Sequence, residues 1–341
     1  MGVRGLNPGQ KFLGSKGLIA FIALLSAFVP LSTDLYLPAL PIMTKYFHAP
    51  QTLTNLTLTL FFIFFSVGTL FWGPLSDKYG RKPVLLIGLS LYFVAGALCA
   101  VSPNIHLLIV FRVLQALGGS AGSAVAMAIV KDVYSGRQRE SVLALVQSMV
   151  VIAPAVAPVL GALLLKFTSW KGIFVTFAVI GLIAVAGASA FEETSTRLKV
   201  GTIMQTLGRL GVVLKNPAFT LLLILFSLAN IAGMAFISSS TYIYQEGFKL
   251  SGEVYSYYFA LNAVGMLLGP VLYIWLSGFF RRQFIINICF AVMAASGLLV
   301  CIFGSTKPCI FALSLLPATI SLSCIRPPSA LLMLEQQKSD S

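Results

Sequence analysis

Two charged side chains fall inside stretches that otherwise hold almost no charge, Asp34 and Arg112. A charge at the centre of a membrane helix costs roughly 2.5–3.5 kcal/mol on insertion scales, so such residues usually face a cavity or a partner. Asp34 follows Gly17 by 17 residues, about 26 Å along a helix that rises 1.5 Å per residue. Arg112 comes six residues into its own apolar stretch. The two depths are compatible with facing each other across a cavity; for Asp34 a place at the membrane interface is the alternative. Burial disfavours a charged carboxylate, and a nearby cation favours it. Together these opposing effects let protonation respond to conformation and to a bound molecule, which is the chemistry of proton-coupled exchange. Asp34 is the candidate proton site and Arg112 the group that tunes it. The turns before Asp34 offer only Ser26 and Thr33 as further polar groups.

A second cluster lies in the run Gly73-Pro74-Leu75-Ser76-Asp77-Lys78-Tyr79-Gly80-Arg81-Lys82-Pro83. It packs an acid, three bases and two glycines into eleven residues. Asp77 can pair with a base or cap a neighbouring helix end. Glycine permits close helix approach and unusual backbone angles. A plain basic loop at the membrane surface needs none of this spacing.

Polar and aromatic residues elsewhere are candidates to line a path for a substrate: Tyr36, Asn55, Gln115, Gln147, Asn230, Tyr242, Tyr257 and Asn262. Helix packing is the ordinary role of each such aromatic. Cys99, Cys289, Cys301, Cys309 and Cys324 sit in apolar stretches without a CxxC pair and read as small packing residues. His48 and His106 join no ligand cluster, so no metal site is expected.

The elements that hold these residues follow from composition. Of 341 residues 58% are hydrophobic and only 10% charged, with a mean hydropathy of +0.93. A soluble domain carries roughly 25% charged residues; here lipid must cover the surface. The apolar residues come in blocks of about 20, the length of a helix that spans the bilayer. A β-barrel would show short alternating segments instead. Ten spans are predicted, near 17–40, 54–75, 83–101, 106–130, 141–165, 172–191, 218–240, 254–278, 284–304 and 309–326. The first is too long for a signal-peptide core and shows no clear cleavage site, so it reads as a retained span.

The net charge of +13 would suit nucleic acid, but its distribution excludes that reading. With Met1 in the cytoplasm, most Lys and Arg fall in the inner segments, as the positive-inside rule requires. An even number of spans then places both termini on the cytoplasmic side of the cell membrane. A polar stretch separates six spans from four, which gives an N-terminal bundle (1–191), a linker (192–217) and a C-terminal bundle (218–341). Within the linker, Ile203, Leu207, Leu210 and Leu214 have helical spacing. A surface amphipathic helix and an ordinary loop both fit. Val67-Gly68 leading to Gly73-Pro74 is echoed by Val264-Gly265 leading to Gly269-Pro270, each in the second span of its half. Duplicated halves are a known transporter design.

The Gly73–Pro83 run resembles the signature between spans two and three of the major facilitator superfamily. That resemblance makes Gly73, Asp77, Gly80, Arg81 and Lys82 a cytoplasmic latch that helps to set the outward-open state. Arg112-Val113-Leu114-Gln115-Ala116-Leu117-Gly118 is similar to the family's R-x-x-Q-G motif, with Ala116 in place of the first glycine. Ala153–Ala162, with Pro154, Pro158 and Gly161, is similar to its antiporter signature, with alanines at three glycine positions. Small residues at such spacing let helices pack closely. Pro30–Pro41 resembles the first span of the Bcr/CflA drug-resistance subfamily, and Arg326-Pro327-Pro328 with Leu334–Gln337 resembles the loop after its tenth span.

The resemblance implies an all-α, major-facilitator-type fold with a six-helix bundle and four of six helices of a second bundle. Family members normally have twelve spans, so the chain reads as the product of a truncated gene, as an incomplete sequence, or as one whose missing wall comes from an oligomer. The expected function is proton-coupled efflux of drugs or other small amphipathic molecules by alternating access. Export of an amino acid or sugar and a non-transporting fragment are the alternatives. The expected partners are a small-molecule substrate and the lipid bilayer. The proton is the coupling ion, and no cofactor is expected. No span holds a catalytic Ser/His, His/Glu or paired-acid constellation, and there is no P-loop, so an enzyme is not expected.

Overall fold

The computed structural model describes residues 10–195, 215–329 and 332–333. Most of the linker, including the 202–214 stretch, and Leu334–Gln337 lie outside the described residues. Among the described residues every regular element is a helix. In chain order they are α1 (Gly14–Asp34), α2 (Leu40–Tyr46), α3 (Gln51–Tyr79), α4 (Arg81–Ala100), α5 (Ile105–Val133), α6 (Gly136–Phe167), α7 (Trp170–Ala190), α8 (Pro217–Tyr242), α9 (Gly252–Ser277), α10 (Arg282–Phe303) and α11 (Pro308–Cys324). Each predicted span has its helix. Among the described residues eight helices are long and apolar enough to cross a membrane; the bent pair Gly14–Phe28 and Pro30–Tyr46 makes a ninth. The tenth, α6, contributes a shorter apolar part, Ile152–Phe167.

The first span is not the continuous helix over 17–40 that apolar length predicts. The helix ends at Asp34, a short 3-10 turn covers Leu37–Ala39, and α2 follows. Pro38 is the cause. It has no N–H to give the carbonyl four residues back, and its ring crowds that carbonyl; the residue four back is Asp34. The candidate proton site is therefore the last residue before α-helical pairing gives way to the 3-10 turn, while the bend of the span lies earlier, between Phe28 and Pro30.

The chain divides into two compact units. The first is Met1–Ala153 with Leu160–Ile203, and the second is Pro154–Val159 with Met204–Ser341. In the first unit α4 and α5 come together at Gly118, where a β-carbon would lie 2.6 Å from the Gly88 carbonyl oxygen and overlap the Tyr92 backbone. In the second unit Phe226, Ile285, Ile286, Cys289, Leu322 and Ile325 form an apolar core from α8, α10, α11 and the residue after α11. The internal echo has a structural counterpart. Gly68 of α3 lies against Ser120 of α5, and Gly265 of α9 lies against Leu316 and Thr319 of α11. In each unit, two helices one apart in sequence pack through a glycine. The following glycines differ: Gly269 also faces α11, whereas Gly73 has open space around it. Trp72, one turn after Gly68, takes the place of a second glycine and donates from Nε1 to the Leu117 carbonyl at 2.8 Å.

Candidate functional site

The segment Ser32–Tyr36 touches every long helix that follows it in the first unit. The Ser32 hydroxyl shares a hydrogen bond with Tyr92 of α4 at 2.6 Å, and the Ser32 carbonyl accepts from Arg112 of α5 at 3.0 Å. The Leu35 carbonyl oxygen presses on Gly161 of α6, where a β-carbon would overlap it. The Tyr36 hydroxyl bonds Thr57 of α3, and its ring lies 5.5 Å from that of Phe174 on α7. Asp34 sits in the middle of this hub, 5% exposed. Its Oδ1 accepts from the Thr33 hydroxyl at 3.0 Å.

Arg112 is fully buried. Its Nη1 donates to Gln115 Oε1 at 2.7 Å. Its guanidinium carbon lies 4.3 Å from the Phe61 ring centre, 4.9 Å from Tyr36, 5.8 Å from Phe174 and 6.0 Å from Phe177. Ring faces attract a cation, most strongly where water is excluded. The Ser32 carbonyl belongs to the C-terminal turn of α1, where the helix dipole is negative. Ring faces, a helix end and an amide oxygen thus hold this charge. Among the described residues no ion pair joins Asp34 to Arg112; Arg112 instead meets the residues on either side of Asp34, at the Ser32 carbonyl and the Tyr36 ring. Arg112 Nε and Gln115 Nε2 are buried without a protein partner.

The second cluster is a joint between helix ends. Gly80 holds φ at +99°, a region that L side chains avoid, and so turns α3 sharply into α4. Arg81 Nη1 then reaches Asp77 at 2.6 Å and the Ser76 hydroxyl at 2.7 Å, while Nε reaches Asp132 at the end of α5 at 2.9 Å. The Glu193 carboxylate accepts from the backbone N–H of Arg81 and of Lys82, both at 2.9 Å. This caps the positive N-terminus of α4. Lys82 Nζ donates to the Ser189 carbonyl at 2.8 Å. The motif residues Asp77, Gly80, Arg81 and Lys82 meet here; Gly73 lies more than one turn back along α3.

Sequence reasoning missed Asp132, Glu193, Phe61, Phe174 and Phe177. Asp132 and Glu193 did carry a signal, since each is an acid just at or beyond the end of an apolar stretch.

The remaining candidates are dispersed. Asn55 is part-buried, with Oδ1 enclosed and unpaired. Asn230 Nδ2 donates to the Phe226 carbonyl at 2.8 Å. Tyr257 is 58% exposed, with its hydroxyl 3.5 Å from Glu253. Asn262 is buried, giving Nδ2 to the Tyr258 carbonyl at 3.0 Å. Tyr242 ends α8, buried. Pro154 and Pro158 lie within α6; the Pro158 carbonyl accepts from Ser256, a contact inside the second unit. The side chain of Gln147 lies outside the described residues.

The helical fold and the apolar spans define a polytopic membrane protein. Residues 22–338 match the Major Facilitator Superfamily, and the chain belongs to that family. It is 34% identical over 272 residues to the uncharacterized MFS-type transporter YdgK of Bacillus subtilis, covering 77% of this chain and 66% of that protein. It is 37% identical over 194 residues to a chloramphenicol resistance protein of Pseudomonas aeruginosa, covering 56% and 46%. It is 27% identical over 308 residues to the multidrug resistance protein MdtL of Escherichia coli, covering 90% and 78%. The chain thus spans about half to two-thirds of the length of the first two relatives. In fold it is similar to the xylose transporter XylE from E. coli, with a TM-score of 0.71 at 13% identity, covering 94% of this chain and 87% of that one.

Proposed function

We propose that this chain works in the export of small lipophilic or amphipathic molecules, drugs among them, across the cytoplasmic membrane in exchange for protons, by alternating access. The proton is the coupling ion, and no organic cofactor or metal takes part. Both termini face the cytoplasm. In this reading the chain is of the Bcr/CflA type.

The observation that supports the reading best is the position of Asp34. It is a buried carboxylate where α1 passes into a 3-10 turn, and its neighbours in sequence contact α3, α4, α5, α6 and α7. Gaining or losing a proton there changes the charge at the C-terminal end of α1, which also carries the Ser32 carbonyl that Arg112 holds. Negative charge at a helix C-terminus is unfavourable, so deprotonation favours a rearrangement in which the cation compensates the carboxylate. In this reading Arg112 is the responding group. The Asp77–Arg81–Asp132 joint with Glu193 is the latch that holds one conformation.

The reading is tested with the full chain in proteoliposomes loaded with ethidium. An imposed pH gradient should drive ethidium movement against its own gradient, and a protonophore should abolish it. Movement that ignores the pH gradient, or none at all, would overturn the reading.

A further inference from the structure

α8 does not end as an ordinary helix. It runs directly into a π-helical turn over Ile243–Gly247, in which the Phe248 N–H bonds the Ile243 carbonyl five residues back at 3.0 Å. Such turns are rare and often mark functional sites. The turn delivers Tyr244 into a ring cluster of the second unit. Its ring stacks on Tyr258 at 5.1 Å and 12°, meets Phe311 edge-on at 5.4 Å, and lies 5.9 Å from Tyr255 and 6.1 Å from Phe248.

Tyr244 is fully buried, and its hydroxyl has no hydrogen-bond partner in the protein. Leaving a buried hydroxyl unsatisfied costs about 1–3 kcal/mol. Phenylalanine would fill the same space without that cost, so packing alone does not explain the hydroxyl. One turn after Tyr258, Asn262 spends its amide nitrogen on the Tyr258 carbonyl and leaves a buried Oδ1 unpaired. Two residues that each carry a buried unpaired polar atom thus both contact Tyr258, Tyr244 through its ring and Asn262 through the backbone carbonyl. Ligand pockets share this chemistry: mostly apolar walls with few polar groups that fix orientation.

We propose that this cluster is a substrate subsite, in which a flat aromatic molecule displaces a ring contact of Tyr244 and accepts a hydrogen bond from its hydroxyl. The inference rests on the exporter reading. The π turn supplies the means to open the cluster. Reverting to α-helical pairing shifts the register by one residue, about 100° around the axis at 3.6 residues per turn.

The test compares two probes by equilibrium binding to the purified full chain. Chloramphenicol has an aromatic ring and acceptor oxygens; tetraphenylphosphonium has rings and no hydrogen-bonding atom. Tyr244→Phe should weaken chloramphenicol about fivefold, the equivalent of one neutral hydrogen bond, and leave tetraphenylphosphonium unchanged. Without a probe, the variant should melt at the wild-type temperature or above, because the unsatisfied group is gone. Unchanged chloramphenicol binding, or an equal loss for both probes, would overturn the subsite. A wild-type chain that binds neither probe would overturn the exporter reading and the subsite with it.

Discussion

Gly161 of α6 lies against the Leu35 carbonyl oxygen so closely that a β-carbon there would overlap it. The contact falls one residue beyond Asp34, where α1 passes into the 3-10 turn that holds Pro38. A motif glycine thus makes backbone contact next to the proposed proton site. Gly161→Ala is expected to lower the melting temperature by the equivalent of about 1–3 kcal/mol, the usual cost of overpacking. Gly73→Ala should melt within error of wild type, because nothing lies near a β-carbon at that position. Thermal unfolding of the two purified variants checks the contrast. Equal effects would remove the steric account of Gly161.

Arg112→Lys keeps the charge but loses the fork that reaches Gln115 and Ser32 together. It also weakens the contact with the ring faces. The variant should reach the membrane at a normal level and melt lower by the equivalent of about 1.5–3 kcal/mol, as for a lost hydrogen bond to a charged group. Wild-type stability would show that the guanidinium geometry is dispensable.

Glu193 caps α4 with two carboxylate oxygens on two backbone N–H groups. Glu193→Ala is expected to cost about 1 kcal/mol, as for other lost N-caps. Glu193→Gln, which keeps one acceptor oxygen, should fall between alanine and wild type. A glutamine variant no better than alanine would argue that charge, not capping geometry, is what Glu193 supplies.

In the second unit, a β-carbon on Gly269 would lie 2.7 Å from the Cys324 amide nitrogen and from the Ile320 carbonyl oxygen. Backbone cannot yield there as a flexible side chain can. Gly269→Leu should therefore prevent α9 from packing on α11 and sharply lower the yield of folded chain, measured by size-exclusion chromatography in detergent. Gly297→Leu, at a site with open space, is the matched control and should leave the yield unchanged.

Much of the fold was legible because membrane spans are written in runs of apolar residues. All ten predicted spans have their helices, with ends displaced by a few residues. The break after Asp34 also had a signal, Pro38 and Pro41, which an apolar count does not weigh. The site was legible only in its single-residue features. Asp34, Arg112 and Asp77 stand out as charges in unusual places, whereas Asp132 and Glu193 become partners of Arg81 and its neighbour only through long-range packing. The rings around Arg112 come from α3, α7 and the turn after α1. Nothing in local sequence separates Phe61 or Phe177 from the many phenylalanines that face lipid. The π turn at Ile243–Gly247 is equally silent in sequence, since no residue type in that run marks i+5 pairing.

The central claim is that Asp34 carries the proton that substrate binding exchanges. The most direct measurement adds ethidium to purified chain in weakly buffered detergent solution and follows the pH. Wild-type chain is predicted to release protons in a saturable way, and Asp34→Asn to bind ethidium without releasing any. Equal proton release from the two would contradict the account.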